Sequence, residues 1–277
     1  MSSTTPTVIV FGASGAVGRA AAIEAESRGA HVFLAMRNTA KPIPGLSSEV
    51  EEKGNFTRIE ADLSDPDSIR KAVAESGATA AFNYVVHMAP DAMRGAFAAM
   101  KEGGIQRVVF LSSFTVCPDA ETVVANGGAI AKIHAEVADA KNGEIHLLRP
   151  EGKSDYLAPE DIGSVAGARL VEQTTESEII HLCGPKLLSQ REAWEIVSKE
   201  LGHEIKIKEL SEDEFLGRHN LPRPLAQSLA DYWLNDAIGQ YPAERVKEAS
   251  GNILKYTGRQ PIEFADWIKA HKSEIFG

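Results

Sequence analysis

Cysteine is nearly missing from this chain: two residues, Cys117 and Cys183, in 277. Standing singly, in strand and loop contexts, they offer no disulfide framework and no metal-ligand spacing. The expectation is free thiols, a reducing compartment and no metal site. Long apolar runs are also absent, and nothing approaches the roughly 18 uncharged apolar residues of a membrane span. The opening MSSTTP lacks the basic-then-apolar order of a secretory signal. Basic charge is in deficit, 29 Lys+Arg against 39 Asp+Glu, for a net charge of −10. The cations are scattered rather than striped, which argues against a direct nucleic-acid surface. These shortages predict a cytoplasmic protein that contacts neither membrane nor nucleic acid. Repeats and low-complexity segments are absent as well. With 43% hydrophobic residues, the chain suits one large domain or a domain with a small lobe.

What is present is concentrated at the start. Residues Thr7 to Arg19 read TVIVFGASGAVGR: an apolar strand, glycines at 12, 15 and 18, then a helix. A dinucleotide pyrophosphate needs this order. Gly12 allows the tight turn, Gly15 lets backbone amides reach the phosphates, and Gly18 lets the helix pack close to the sheet. The helix N-terminus, with Ser14, Ala16 and Val17 around it, supplies partial positive charge. The β-branched run Val8-Ile9-Val10 before the turn, and an alanine-rich helix to Arg28 closed by Gly29, raise the motif above a chance glycine cluster.

Downstream, strands and helices alternate in the rhythm of βαβ units, which predicts a parallel sheet with right-handed crossovers. The expected strands are His31–Met36, Phe56–Ala61, Ala80–Val86, Arg107–Ser112 and Glu144–Leu148. The expected helices are Asp65–Ser76, with Pro66 in its first turn, then Pro90–Glu102 and Ala125–Lys141. Through Pro150 this reads as a complete doubly wound nucleotide-binding half. Residues 151–277 read as a smaller mixed lobe: helix Glu160–Gln173, strand Glu178–Leu182, and helix Ser189–Leu201 opened by a capping box of Ser189 with Glu192. Strand Ile205–Leu210 follows, then a helix starting at Ser211 with Glu214, and helices near Pro224–Ile238, Ala243–Ala249 and Pro261–Lys272. The fold class is therefore α/β: a Rossmann doubly wound parallel sheet (1–150) and a smaller α/β lobe (151–277) expected to cap the carboxyl ends of the strands. Asn38 to Asn55 is the longest loop, beside the expected adenosine end.

An acidic residue at the end of the second strand is the usual mark of NAD. That position holds Met36, followed by Arg37 and Asn38. A carboxylate repels a 2′-phosphate, whereas a guanidinium binds it in bidentate fashion, so the expected cofactor is NADP(H). Arg19 and Lys41 are weaker candidates to assist. Asp62 and Leu63 follow the third strand, where an acid can meet the adenine amine or simply cap the next helix. Val86 and Pro150, at the ends of the fourth and sixth strands, complete the expected cofactor contacts.

FGASGAVGR, MRN after the second strand, EADLSDPDSI, GGIQRVVFLSS, HLLRPEG and HLCGPKLLSQREAWEIVSKELG occur in that order. Together they resemble the NmrA-like branch of the atypical short-chain dehydrogenase/reductases over nearly the whole chain. The resemblance implies a Rossmann fold, NADP preference, and a substrate cleft between sheet and C-terminal lobe. It covers both NADPH-dependent reductases and redox-sensing regulators. The wider superfamily uses Tyr-x-x-x-Lys on the helix after the fifth strand, with a serine near that strand's end. The resemblance places Lys132 at the lysine and Ser112 or Ser113 at the serine, but Gly128 stands at the tyrosine. Lys132 is then expected on the nicotinamide ribose. Replacement proton donors are sought at Tyr84 and His87, with Tyr156 an outside candidate and His134 structural. Relatives also spend more chain on a substrate cover where this one has only 151–160 between Pro150 and Asp161.

Three functions are consistent with these residues. The first is an NADPH-dependent reductase of a bulky carbonyl or enone, with Lys132, His87, Tyr84 and Ser112 in the catalytic roles. The second is a non-catalytic NADP(H) sensor acting on a protein partner, and the third a non-redox isomerase or cyclase. Trp194, Trp233 and Trp267 are expected in the core. The Glu49–Lys53 run is expected as a solvated loop or short helix.

Overall fold

A computed structural model describes residues 5–86, 89–112, 140, 143–174, 176–218, 223–234 and 243–276. Strands β1 (Thr7–Phe11), β2 (His31–Met36), β3 (Phe56–Glu60), β4 (Ala80–Tyr84) and β5 (Arg107–Leu111) form one parallel sheet in the order β3-β2-β1-β4-β5. The order reverses at β1, the switch point where ligands bind in open α/β sheets. Helices α1 (Ala16–Ser27), α2 (Ser48–Lys53), α3 (Pro66–Ser76) and α4 (Arg94–Gly103) lie between the strands.

Period-two alternation divides the core. Val8, Val10, Val32 and Leu34 pack with Ala21, Ala22 and Ala25 of α1, while Ile9, Phe11 and Ala35 pack with Ile69 and Val73 of α3 and Ala99 of α4. A strand buried on both faces reads as an unbroken apolar run, which is why Val8–Phe11 looked so plainly like a sheet centre. Local signals set the ends of α3. The Asp65 carboxylate accepts the Asp67 N–H, Pro66 occupies the first turn, and Gly77 closes the helix at φ 62°.

Beyond β5 come β6 (Glu144–Leu148), β7 (Lys153–Asp155), α5 (Pro159–Val171), β8 (Leu187–Ser189), α6 (Gln190–Leu201), β9 (Lys206–Leu210), α7 (Glu212–Arg218), α8 (Arg223–Leu234), α9 (Ala243–Thr257) and α10 (Phe264–Phe276). The chain divides into two compact units. One holds the sheet up to Ser112 with Pro159–Ile179 and Tyr256–Gly258; the other holds the remaining described residues. The divide therefore crosses the chain several times rather than once after Pro150.

Several expectations are corrected. β6 does not extend the main sheet; it pairs in parallel with β9, Ile145 beside Ile207, in the second unit. There Ile145 and Leu147 share a core with Trp194, Trp267 and Phe264. Helix α5 belongs to the sheet unit. Its Gly163 and Gly167 lie so close to α1 that an added Cβ would sit 2.5 Å from the Val17 and Ala21 carbonyl oxygens respectively. Residues Glu178–Leu182 form no strand: Arg169 and the Tyr256 hydroxyl engage the Glu178 carboxylate, and Asn252 donates to the His181 carbonyl. Helix α4 starts at Arg94 rather than Pro90. Ala92 and Met93 take left-handed φ, and the Asp91 carboxylate accepts the Met93 and Gly95 N–H groups. Strand β4 stops at Tyr84 because the fully buried Asn83 Oδ1 takes the Tyr84 N–H at 2.7 Å. Helix α9 runs on to Thr257. The antiparallel β7–β8 pair had no signal in the sequence. The helix expected over Ala125–Lys141 lies, apart from Ala140, outside the described residues. The capping box at α6 forms as read, with both reciprocal bonds.

Candidate functional site

The turn after β1 is built from backbone. Gly12 sits at φ 70°, donates to the Ala35 carbonyl at 3.1 Å and accepts the Gly15 N–H at 2.9 Å. A Cβ at Gly18 would lie 2.4 Å from the Gly12 carbonyl oxygen, so only glycine lets α1 start this close to the strand. Gly15 is the N-cap, no side chain caps the helix, and the first turn holds no acid. The N–H groups of that turn have no acceptor within the helix, and the helix dipole adds partial positive charge. This cradle fits a diphosphate, and the fit depends on the missing Cβ atoms rather than on any charged side chain.

Register aligns the other candidates on the same edge. The Ala61 N–H bonds to the Met36 carbonyl, and Tyr84 pairs with Leu111. Met36 is buried, whereas Arg37 and Asn38 are exposed. The Asn38 Oδ1 accepts the Ala40 N–H at 3.0 Å. Asp62 accepts both the N–H and the hydroxyl of Ser64, which hold its carboxyl below the usual range, with the Arg37 charge adding to the effect. Asp62 thus shapes the turn before α3 but does not cap the helix, a role taken by Asp65, and Leu63 beside it is buried. Arg19 donates to the Pro44 carbonyl, inside the sheet unit, and Lys41 is exposed.

At the carboxyl end of β4, the Tyr84 ring packs on the glycine turn: Cε1 would lie 2.5 Å from a Cβ on Gly12. Tyr84 stays 36% exposed. The Val86 N–H donates to the Met93 sulfur at 3.1 Å, and Ser112 is exposed just after β5. His87, Ser113, Cys117, Gly128, Lys132 and His134 lie outside the described residues. One edge of one sheet thus carries Gly12–Gly18, Arg37, Asn38, Asp62, Leu63, Tyr84, Val86 and Ser112. Pro150 belongs to the other unit, where it is buried and its carbonyl accepts the Arg191 N–H at 2.9 Å. Tyr156 is corrected as a proton donor: it is 3% exposed and packs against Phe264 in the core of that unit. All three tryptophans are buried as expected.

Sequence reasoning missed a group in the second unit. Asp155, Cys183, Gly184, Lys186, Val246 and Ser250 are among the residues around a pocket of about 90 Å³. Burial raises the Asp155 carboxyl, even though its Oδ2 accepts the Gly184 N–H at 3.1 Å. Burial, then the Asp155 charge, pushes the Cys183 thiol up to about 11. Tyr232, bonded to Ser154 at 2.6 Å, is pushed up to about 12, again mainly by burial. The Cys183 thiol and the Tyr232 hydroxyl therefore keep their protons at neutral pH, and no spacing in the sequence announced this group. Among the described residues there is no cluster of metal-binding side chains, and no helix is long and apolar enough to cross a membrane.

A family model described as NAD(P)H-binding matches residues 12–156. The chain is 33% identical to the Nitrogen metabolite regulation-like protein bik4 of Gibberella fujikuroi, with 97% of each chain covered. It is 24% identical to agroclavine dehydrogenase of Claviceps fusiformis over 61% of this chain and 66% of that one. Among solved structures, an NADPH-dependent quinone oxidoreductase of Escherichia coli, complexed with NADPH, superposes with a TM-score of 0.70 at 19% identity, covering 98% and 100% of the two chains. Triphenylmethane reductase of Citrobacter sp., complexed with NADP(H), gives 0.69 at 16% identity, covering 95% and 99%.

Proposed function

The chain belongs to the NAD(P)H-binding family, in its NmrA-like branch, and from that premise we propose that it is an NADPH-dependent reductase of a bulky conjugated carbonyl or enone compound. The observation that carries this reading is the juxtaposition on one sheet edge of an uncapped helix N-terminus with an exposed arginine where NAD enzymes place an acid. The free first-turn amides of Ala16 to Gly18 would hold the pyrophosphate, and Arg37 would pair with the 2′-phosphate. When bound, the reduced nicotinamide supplies a hydride. Reduction of a carbonyl also needs one proton on oxygen. Tyr84 is the described group with a proton to give at that edge, Ser112 orients the substrate oxygen, and Lys132 and His87 are the further candidates. The quinone and triphenylmethane compounds named for the structural neighbours support a large, flat acceptor.

The test is consumption of NADPH, followed by its absorbance, against quinones, enones and triarylmethane dyes, with product identified for each. Turnover of a quinone or an enone supports the reading, and turnover of the dyes alone would overturn the carbonyl assignment. A protein that binds NADPH yet leaves it intact across the panel and across pH would overturn it. Tyr84 has its own check. Loss of a proton donor typically costs about 10²–10⁴-fold in rate, so Tyr84→Phe should lower kcat on that scale and leave cofactor affinity within about twofold. An unchanged kcat removes Tyr84 from the role.

Arg37→Ala should weaken NADPH about tenfold or more, since a charge-assisted pair contributes roughly 1.5–3 kcal/mol. NADH affinity should stay within about twofold, both measured by calorimetry. Equal weakening of the two would remove the 2′-phosphate from Arg37.

A further inference from the structure

The loop that follows Arg37 is more ordered than its polar sequence suggests. Ile43 and Leu46 face each other in a backbone bridge and are 3% exposed, buried in the core that holds Val10 and Leu34. Gly45 forms the tip between them at φ 74°, and Arg19 holds the Pro44 carbonyl. Ser47 caps α2, which presents Glu51.

One side chain gathers the rest. Arg58, on β3, donates through Nε and Nη2 to the two carboxylate oxygens of Glu51, each at 2.6 Å, and through Nη1 to the carbonyls of Thr39 and Lys41. The pair is sheltered, with side chains 25% and 12% exposed, so salt screens it less than a surface bridge. The planar fork of arginine meets a carboxylate and two carbonyls at once; a lysine ammonium cannot reproduce that geometry. Thr39 and Lys41 flank the turn begun by Asn38, whose carbonyl accepts the Lys41 N–H.

We propose that Arg58, with Glu51, is the positioning residue that sets the preference for a 2′-phosphorylated nucleotide. This proposal rests on the reading that Arg37 takes the 2′-phosphate. Arg58 acts through the loop rather than on the cofactor: four of its five N–H donors are committed to Glu51, Thr39 and Lys41. By fixing the chain immediately after Arg37-Asn38, it removes backbone freedom that binding would otherwise have to freeze. NADH makes no use of Arg37, so the benefit falls on NADPH alone.

The full-length protein and its Arg58→Ala, Arg58→Lys, Glu51→Gln and Arg37→Ala variants are titrated with NADPH and NADH by calorimetry. Amide hydrogen exchange is followed on the cofactor-free proteins. Both Arg58 variants should lower the NADPH-over-NADH preference about tenfold, and Glu51→Gln about threefold, with NADH affinity within about twofold. Exchange should accelerate in 39–47 and not in α1. A folded Arg58→Ala that keeps the preference, or that loses both nucleotides in parallel, overturns the proposal. The underlying reading survives that outcome as long as Arg37→Ala collapses the preference. An Arg37→Ala protein with unchanged preference defeats both. Should Arg58→Ala fail to fold, Arg58→Lys and Glu51→Gln decide the matter by the same ratio.

Discussion

Gly18→Val should abolish nucleotide binding, raising the Kd of NADPH and NADH alike by about 100-fold or more. The added Cβ would lie 2.4 Å from the Gly12 carbonyl oxygen and 3.0 Å from its carbonyl carbon. Both are backbone atoms of the turn itself, so no rotamer change relieves the clash. Either α1 withdraws from the strand or the turn opens, and both outcomes move the amides that form the cradle. Stability should fall by roughly 1–3 kcal/mol, the usual range for overpacking. Gly12 offers a contrast. A Cβ there meets the Tyr84 ring, which can rotate away, but the residue must still hold φ 70°, at a cost of about 1–2 kcal/mol for an L-residue. Gly12→Ala should therefore bind more weakly without losing binding. Calorimetry and denaturant unfolding separate the two effects. A Gly18→Val protein that binds NADPH normally would show that the turn is not the nucleotide site.

Gly163→Val carries the second large effect, and it acts from the far side of α1. A Cβ on Gly163 would lie 2.4 Å from the Ala20 Cβ, 2.5 Å from the Val17 carbonyl oxygen and 2.9 Å from the Ala21 nitrogen. Helix α5 is seated in α1 by this contact and by the matching one at Gly167. Separating the helices exposes a layer that includes Ala21, Ala25, Ala166 and Leu170. We expect a loss of about 3 kcal/mol, with the apparent melting temperature down by roughly 6–12 °C. Nucleotide affinity should also drop, because Val17 lies in the first turn of the helix whose amides form the cradle. Gly251→Ala is the control. Gly251 is also helical, but nothing lies within 4 Å of its added Cβ, so stability should rise by about 0.5–1 kcal/mol. If Gly163→Val melts like the parent, α5 does not hold α1 as described.

The legible part of the site was the part written within a few residues. Glycines at 12, 15 and 18 after a β-branched run specified a strand, a turn and a helix start, and the absence of an acid at Met36 beside Arg37 was visible directly. The role of Arg58 was not. Its partners Thr39, Lys41 and Glu51 share no periodic spacing with it, and an arginine on a strand beside a polar loop looks like a solvated charge. Tyr84 was found by its position at a strand end. Its contact with Gly12, however, depends on the parallel neighbouring of β1 and β4, which no local pattern announces. The Asp155–Cys183 pocket escaped notice because residues far apart in the chain create it only when burial removes them from water.

Alone, the sequence determined those elements whose causes are local. These are β1 with its turn and α1, the Asp65 cap and Gly77 stop of α3, the Ser189–Glu192 box of α6, and the alternation that buries both faces of the central strands. Tertiary structure alone decided which partner each element took. It sent β6 to β9 rather than to the main sheet, brought α5 back onto α1, and folded 39–51 around a single guanidinium. The physical reason is that propensity, capping and positive φ act over one or two turns of chain. Pairing and close packing are instead chosen by shape and hydrogen-bond complementarity between segments, and that choice leaves no mark on either segment until the two meet.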